Sequence, residues 1–314
     1  MSGHISPEDL FDAPITYPDL LPRERLANLV GIDDLKVRLQ KTLGVLLNPD
    51  GLADWAQQYH PHAKDIVTVV ARRPPLVVLA GDVGCGKTEL AETIGDAVAR
   101  QEKIDITLHP LSLNTRGQGR VGEMTRLLSS AFHFVVSQAA KLKSGDKHGR
   151  PRGAVILLVD EADALAQSRE ESQMHHEDRA GVNAFIRGVD RITNERVPAA
   201  VLMCTNRLSA LDPAVRRRSA DILLFERPNE EQRRAFLRPM VDALGFTPAD
   251  LDWLVKATGP HGKREYGFTF SDLRQRLVPA LVLDAYPDRP IRASRVREIA
   301  DHIIPTPPFR DGSH

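Results

Sequence analysis

The chain has 314 residues, room for one large domain or two modest ones, with 42% hydrophobic and 27% charged residues as in ordinary globular proteins. Lysine plus arginine and aspartate plus glutamate balance at 42 each, which argues against a global field drawing the chain to nucleic acid or to an anionic membrane. No stretch approaches the roughly 18 uninterrupted apolar residues of a membrane span, residues 1–12 lack a signal peptide's apolar core, and Cys85 and Cys204 show no metal-ligand spacing, so a reduced, cytoplasmic protein is expected.

Residues 1–25 carry Pro7, Pro14, Pro18 and Pro22 without a sustained period, and read as an extended arm. From Leu26 the pattern turns helical, with Val37, Leu39, Leu43, Leu46 and Leu47 on one face. Leu76 to Ala80 is wholly apolar and runs into glycines, as a buried parallel strand does. Leu90, Ile94 and Val98 mark the next helix, Ile104 to Leu108 a strand, and Met124 to Val136 another helix. Val155–Val159, Ala200–Cys204 and Ile222–Phe225 supply three more strands. Strands alternating with helices predict an α/β fold, a parallel sheet sandwiched by helices. The alternation stops near Pro228. Beyond it lie only helical patterns, at residues 231–244, 248–257, 271–284 and 294–303. The expected organisation is an arm over 1–25, a large nucleotide-binding domain over 26–227, a small all-helical domain over 228–304 and a tail over 305–314.

The strand at Leu76–Ala80 leads into Gly81-Asp82-Val83-Gly84-Cys85-Gly86-Lys87-Thr88, a G-x-x-x-x-G-K-[ST] loop opening a helix. Its glycines let backbone N–H groups wrap phosphates at the positive end of that helix. Lys87 would reach the β- and γ-phosphates, Thr88 would take a Mg²⁺ position, and Glu89 is counted with the loop. The strand at Val155–Val159 ends in Asp160-Glu161, where the first acid would hold Mg²⁺ and the second would polarise the attacking water. Asp163 would extend this acidic cluster. Ala200–Cys204 leads to Thr205-Asn206; a strand lying between the two earlier ones would aim Asn206 at the γ-phosphate and the water. ATP and Mg²⁺ are the cofactors these residues imply. Cys85 sits inside the loop, and alkylating it is expected to block nucleotide binding.

Together with Leu211-Asp212-Pro213-Ala214-Val215-Arg216-Arg217-Arg218, these motifs resemble the AAA+ ATPases in order and spacing over roughly Leu26 to Asp284. The resemblance implies a helical lid after Pro228, adenine contact around Gly31, and a hexameric ring. It also implies an arginine finger reaching the neighbouring subunit's site, with Arg218 the first choice and Arg217 the second. Arg274, one helical turn beyond the family's usual position at Ser271, is the expected second sensing arginine.

Two further stretches, Asp160 to Ala166 with Arg179 to Ile186 and the run ending in Ser219-Ala220-Asp221-Ile222, resemble the pachytene-checkpoint ATPases. These remodel HORMA-domain proteins, and short bacterial relatives accompany nucleotidyltransferases in CBASS anti-phage systems. That resemblance implies a HORMA-domain partner and a substrate-gripping pore loop at Arg116, Arg120, Val121 and Gly122, without the usual aromatic wedge. The alternative is a clamp- or helicase-loader-like ATPase, against which zero net charge and the lack of a DNA-binding module argue.

Overall fold

The computed structural model describes residues 10–112, 123–144, 149–165, 176–262 and 264–309. In chain order its elements begin with β1 (Ile15–Tyr17), α1 (Leu20–Ala27), α2 (Asp33–Leu47), α3 (Pro49–Tyr59) and α4 (Lys64–Ala71). Next come β2 (Leu76–Gly81), α5 (Lys87–Glu102), β3 (Asp105–Ser112), α6 (Glu123–Lys141) and β4 (Gly153–Asp160). A short 3₁₀ turn, Ala162–Leu165, leads to α7 (His176–Glu195), β5 (Ala199–Thr205), α8 (Pro213–Arg217) and β6 (Asp221–Phe225). The remainder is α9 (Glu230–Ala243), α10 (Pro248–Ala257), a π-helix (Asp272–Leu277), α11 (Val278–Ala285) and α12 (Ala293–His302).

The six strands lie in the order β1-β3-β4-β5-β2-β6. β3, β4, β5 and β2 pair in parallel, which suits their apolar runs: β4 and β5 are buried almost end to end, as strands covered on both faces must be. The α/β fold read from the alternation is present, with an antiparallel edge at β1. Helices α6 and α7 pack on β4 and β5. Phe132 of α6 meets Phe185 of α7 edge to face at 5.5 Å, and Gly188 makes room for it, since a Cβ there would lie 2.2 Å from the Phe132 ring.

The expected extended arm is corrected over residues 10–25. Leu10, Phe11 and Tyr17 are buried, β1 adds antiparallel to β3 with Tyr17 opposite Ile106, and α1 follows. The Tyr17 hydroxyl donates to Glu92 O, and Asp19 N donates to Asp96 Oδ1 at 2.9 Å. Arg25 clasps Glu89 through two hydrogen bonds of 2.8 Å and reaches Glu92 at 2.7 Å. Prolines had signalled irregular chain, but local propensity yields to these tertiary anchors. Two helices without a sequence-based expectation, α3 and α4, precede β2.

The chain divides into two compact units. One holds the residues up to Leu26 with Asp34–Ala80 and Thr88–Leu224; the other holds Ala27–Asp33, Gly81–Lys87 and the chain from Phe225 onward. The second unit has its own core, including Leu237, Leu254, Phe268, Leu273 and Leu277. Its helices start on local signals: Asn229 with Gln232 and Thr247 with Asp250 each form a reciprocal capping box. The helix expected over 271–284 is a π-helix followed by α11, with Pro279, which offers no N–H, in the first turn of α11 just past the junction. Among the described residues no helix is long and apolar enough to cross a membrane.

Candidate nucleotide site

The loop Gly81–Lys87 bends where only glycine fits. Gly81 adopts φ +145, and a Cβ on it would stand 1.9 Å from Phe225 O; Gly84, at φ +73, would push a Cβ to 2.7 Å from Ser271 Cβ. Lys87 is 7% exposed, with its ammonium donating to Gly81 O and Asp82 O at 2.8 Å each. The charge is thus gathered into the concavity of the loop. Asp82 and Val83 form the outer part of the turn, where Val83 N donates to Asp82 Oδ1 at 2.8 Å. Gly86 has φ +95. Cys85 is buried, and burial pushes its thiol up to about 11. A thiol so placed carries almost no reactive thiolate near neutrality, so the alkylation expected from its position is opposed by its surroundings.

Gly31 lies in the same unit as that loop, at φ +81, with Gln232 Nε2 donating to its carbonyl. Arg274 stands on the exposed side of the π-helix, donates to Asn28 O at 2.9 Å and lies 5.9 Å over the Phe236 ring. It is therefore brought to the Gly31 segment.

In the first unit, Thr88 Oγ1 donates to Asp160 Oδ1 at 3.3 Å, so the two expected metal-holding groups are neighbours. Burial raises the Asp160 pKa, against the hydrogen bonds from Glu161 N and Thr88 that favour its charge. Glu161 is exposed and held at φ +51, a left-handed conformation that a non-glycine residue rarely adopts. Glu89 is engaged by Arg25, so it stands apart from the other residues counted as nucleotide ligands, and its negative charge suits the cation it meets.

β5 lies between β4 and β2, as the expectation for Asn206 required. Asp163 does not extend an acidic cluster. Its Oδ1 accepts from the Thr205 hydroxyl at 2.6 Å and Asn206 N at 2.8 Å, and its Oδ2 accepts from Asn206 Nδ2 at 3.0 Å. With its amino group tied to a carboxylate, the Asn206 amide turns its carbonyl oxygen the other way, as an acceptor. No spacing rule signals this clamp, because the two residues come from different strand ends.

The three arginines after β5 separate. Arg216 donates to Leu211 O and Ser209 O. Arg218 forms a two-pronged pair with Asp190, at 2.8 and 3.1 Å. Arg217 is exposed on α8. The expected pore residues Arg116, Arg120, Val121 and Gly122 lie outside the described residues.

Residues 77–227 match the family model described as ATPase family associated with various cellular activities (AAA). The chain is 60% identical over 304 residues to CD-NTase-associated protein 6 of Escherichia coli (strain MS 115-1), covering 97% of each chain. The chain belongs to the AAA ATPase family. This ATPase also superposes on a chain of the solved E. coli MS115-1 HORMA:CdnC:Trip13 complex, with TM-score 0.89 and 59% identity over 97% of this chain and 99% of that one. A solved Rhizobiales Trip13 matches with TM-score 0.74 and 55% identity, over 95% and 100%. As a member of this family the chain is an ATPase and binds nucleotide.

Proposed function

We propose that this ATPase is a ring-forming, hexameric remodeller that pulls on a HORMA-domain protein and so regulates a CBASS anti-phage system. The observation that carries the reading is end-to-end similarity: 60% identity and 97% coverage of both chains with CD-NTase-associated protein 6, and TM-score 0.89 with a chain from a complex containing a HORMA protein and CdnC. A loader of nucleic-acid machinery has no comparable support.

Each site residue takes a role its chemistry suits. Lys87 and the backbone of Gly81–Gly86 bind phosphate, and the Gly31 segment with Arg274 serves the rest of the nucleotide. Thr88 and Asp160, hard oxygen donors 3.3 Å apart, suit Mg²⁺, which when bound neutralises phosphate charge. Glu161 polarises the attacking water, and the carbonyl of Asn206 accepts from it, held by Asp163. Arg217, exposed while Arg218 is paired with Asp190, becomes the first choice for the finger offered to the next subunit, with Arg218 beside it. The grip on substrate falls to Arg116, Arg120, Val121 and Gly122, working in the cytoplasm.

The test is to add ATP and this protein to a HORMA protein bound to its nucleotidyltransferase, and to follow the complex by size-exclusion chromatography. Release of the nucleotidyltransferase is expected with the unaltered chain, and a stable trapped assembly with Glu161→Gln. ATPase stimulation by DNA, with no stimulation by the HORMA complex, would sink the proposal.

A further inference from the structure

Asp82 is an unexpected residue for a loop that must surround a polyanion, since its carboxylate opposes the charge of a triphosphate. Later segments of the same unit supply the compensation. Arg227 Nε donates to Asp82 Oδ2 at 2.6 Å, and the two side chains are only 14% and 16% exposed. Asp82 Oδ1 accepts from Phe309 N at 3.2 Å, in the tail of the chain, besides Val83 N. Both carboxylate oxygens are therefore engaged, one by a cation and one by backbone donors.

The same arginine ties this corner together. Its Nη1 donates to Gly267 O and its Nη2 to Thr306 O, each at 2.7 Å, while its guanidinium lies 4.9 Å over the Tyr266 ring. Thr306 in turn fastens to Asp272, donating from Oγ1 at 2.7 Å and from N at 3.1 Å. The Asp272 side chain is 1% exposed and also accepts from Thr269 N at 3.0 Å, while Thr269 Oγ1 accepts from Asp272 N. The segment so fixed reaches the phosphate loop again, because Ser271 N donates to Gly84 O at 3.0 Å. Residues 82 and 84 of the loop are thus each held by later segments of their own unit, and the tail closes the circuit. From its prolines this tail is expected to be an extended terminus. Its described residues, 305–309, contain no regular secondary structure, yet the backbone here is engaged at Thr306 and Phe309, and at Ile304 just before them.

We propose that Arg227 and the tail residues Thr306 and Phe309 are positioning residues for the phosphate loop, neutralising and holding Asp82 so that the tail sets the affinity for ATP. The inference rests on Gly81–Thr88 being the nucleotide site. It assigns these residues no part in the chemical step, so their loss belongs in the dissociation constant and KM and leaves kcat in place.

The experiment compares the full chain with Arg227→Ala, Phe309→Pro and the double variant Arg227→Ala/Asp82→Asn. Phe309→Pro removes one N–H and keeps the extended backbone. ATP binding is measured by titration calorimetry and turnover by steady-state kinetics, with thermal melts to confirm folding. Arg227→Ala is expected to weaken ATP binding and raise KM about tenfold, the size of losing one hydrogen bond to a charged group, with kcat within about twofold. Phe309→Pro shifts the same quantities in the same direction by less. Asp82→Asn returns the Arg227→Ala affinity towards that of the unaltered chain, because the uncompensated charge is gone. Unchanged affinity in both single variants overturns the proposal, as does a loss that Asp82→Asn fails to rescue, since that marks mere structural damage. If the unaltered chain binds no ATP, the site assignment falls together with this one.

Discussion

Asp160 illustrates how a site residue works against the stability of its own fold. Burial raises its pKa above the unfolded value, so at neutral pH the folded chain holds an ion that its surroundings disfavour. The linkage sign follows directly: a raised folded pKa gives a contribution present below the unfolded pKa and lost as pH rises through the folded one. Asp160→Asn removes the penalty together with the proposed Mg²⁺ ligand. Without ATP or Mg²⁺ its melting temperature at pH 7 is expected above that of the unaltered chain. The gain should shrink on acidification and vanish below the ordinary carboxylate range, while turnover is abolished at every pH. A lower melting temperature at pH 7 would show that the hydrogen bonds from Thr88 and Glu161 N outweigh desolvation. The left-handed backbone of Glu161 belongs to the same economy, since a strained conformation at the neighbouring acid persists only because the strand end over-determines it.

Among the elements, β1 and α5 depend on each other through Gly95. A Cβ at this position would lie 2.3 Å from the Tyr17 ring, so the helix surface is cut away where the edge strand crosses it. Gly→Ala inside a helix ordinarily stabilises by about 0.5–1 kcal/mol. Here the sign should reverse, with Gly95→Ala costing about 1–3 kcal/mol through overpacking, measured by urea denaturation. A stabilised variant would mean that β1 moves away at little cost. This pair also shows what the sequence could and could not reveal. The parallel strands were legible because β2, β4 and β5 are unbroken apolar runs, and the phosphate loop because its glycines and Lys87 fall at fixed intervals between a strand and a helix. β1 was not, since three residues between two prolines carry no period, and what holds them is Glu92 and the strand around Ile106, with Asp96 anchoring Asp19 just beyond, all far away in the chain. The clamp of Asp163 on Asn206 and the circuit through Arg227 escaped for the same reason: spacing rules see neighbours in sequence, whereas these partners become neighbours only on folding.

For the whole molecule, the proposed ring makes each ATP site a joint product of two subunits. Arg217→Ala is expected to bind ATP normally and lose about 10³–10⁵ of its turnover, the usual worth of an arginine finger. Glu161→Gln is expected to be inactive for a different reason, on the other side of the proposed interface. Mixing the two inactive proteins should therefore restore activity. A site works when its owner carries Arg217→Ala and its neighbour carries Glu161→Gln, so random mixing gives half times half, about a quarter of the full rate. A mixture as inactive as its components would mean that hydrolysis does not use a finger from the neighbour. Such an assembly must also avoid joining in unwanted ways, and the prolines that concealed β1 bear on this. Pro14 and Pro18 bracket Ile15–Tyr17 at the sheet's edge, and neither offers an N–H. A foreign strand seeking to extend the sheet there meets a segment three residues long with a missing donor at each end, the means by which β proteins discourage runaway edge-to-edge stacking. The N-terminal prolines thus suit a guard against aggregation in a protein proposed to assemble with copies of itself.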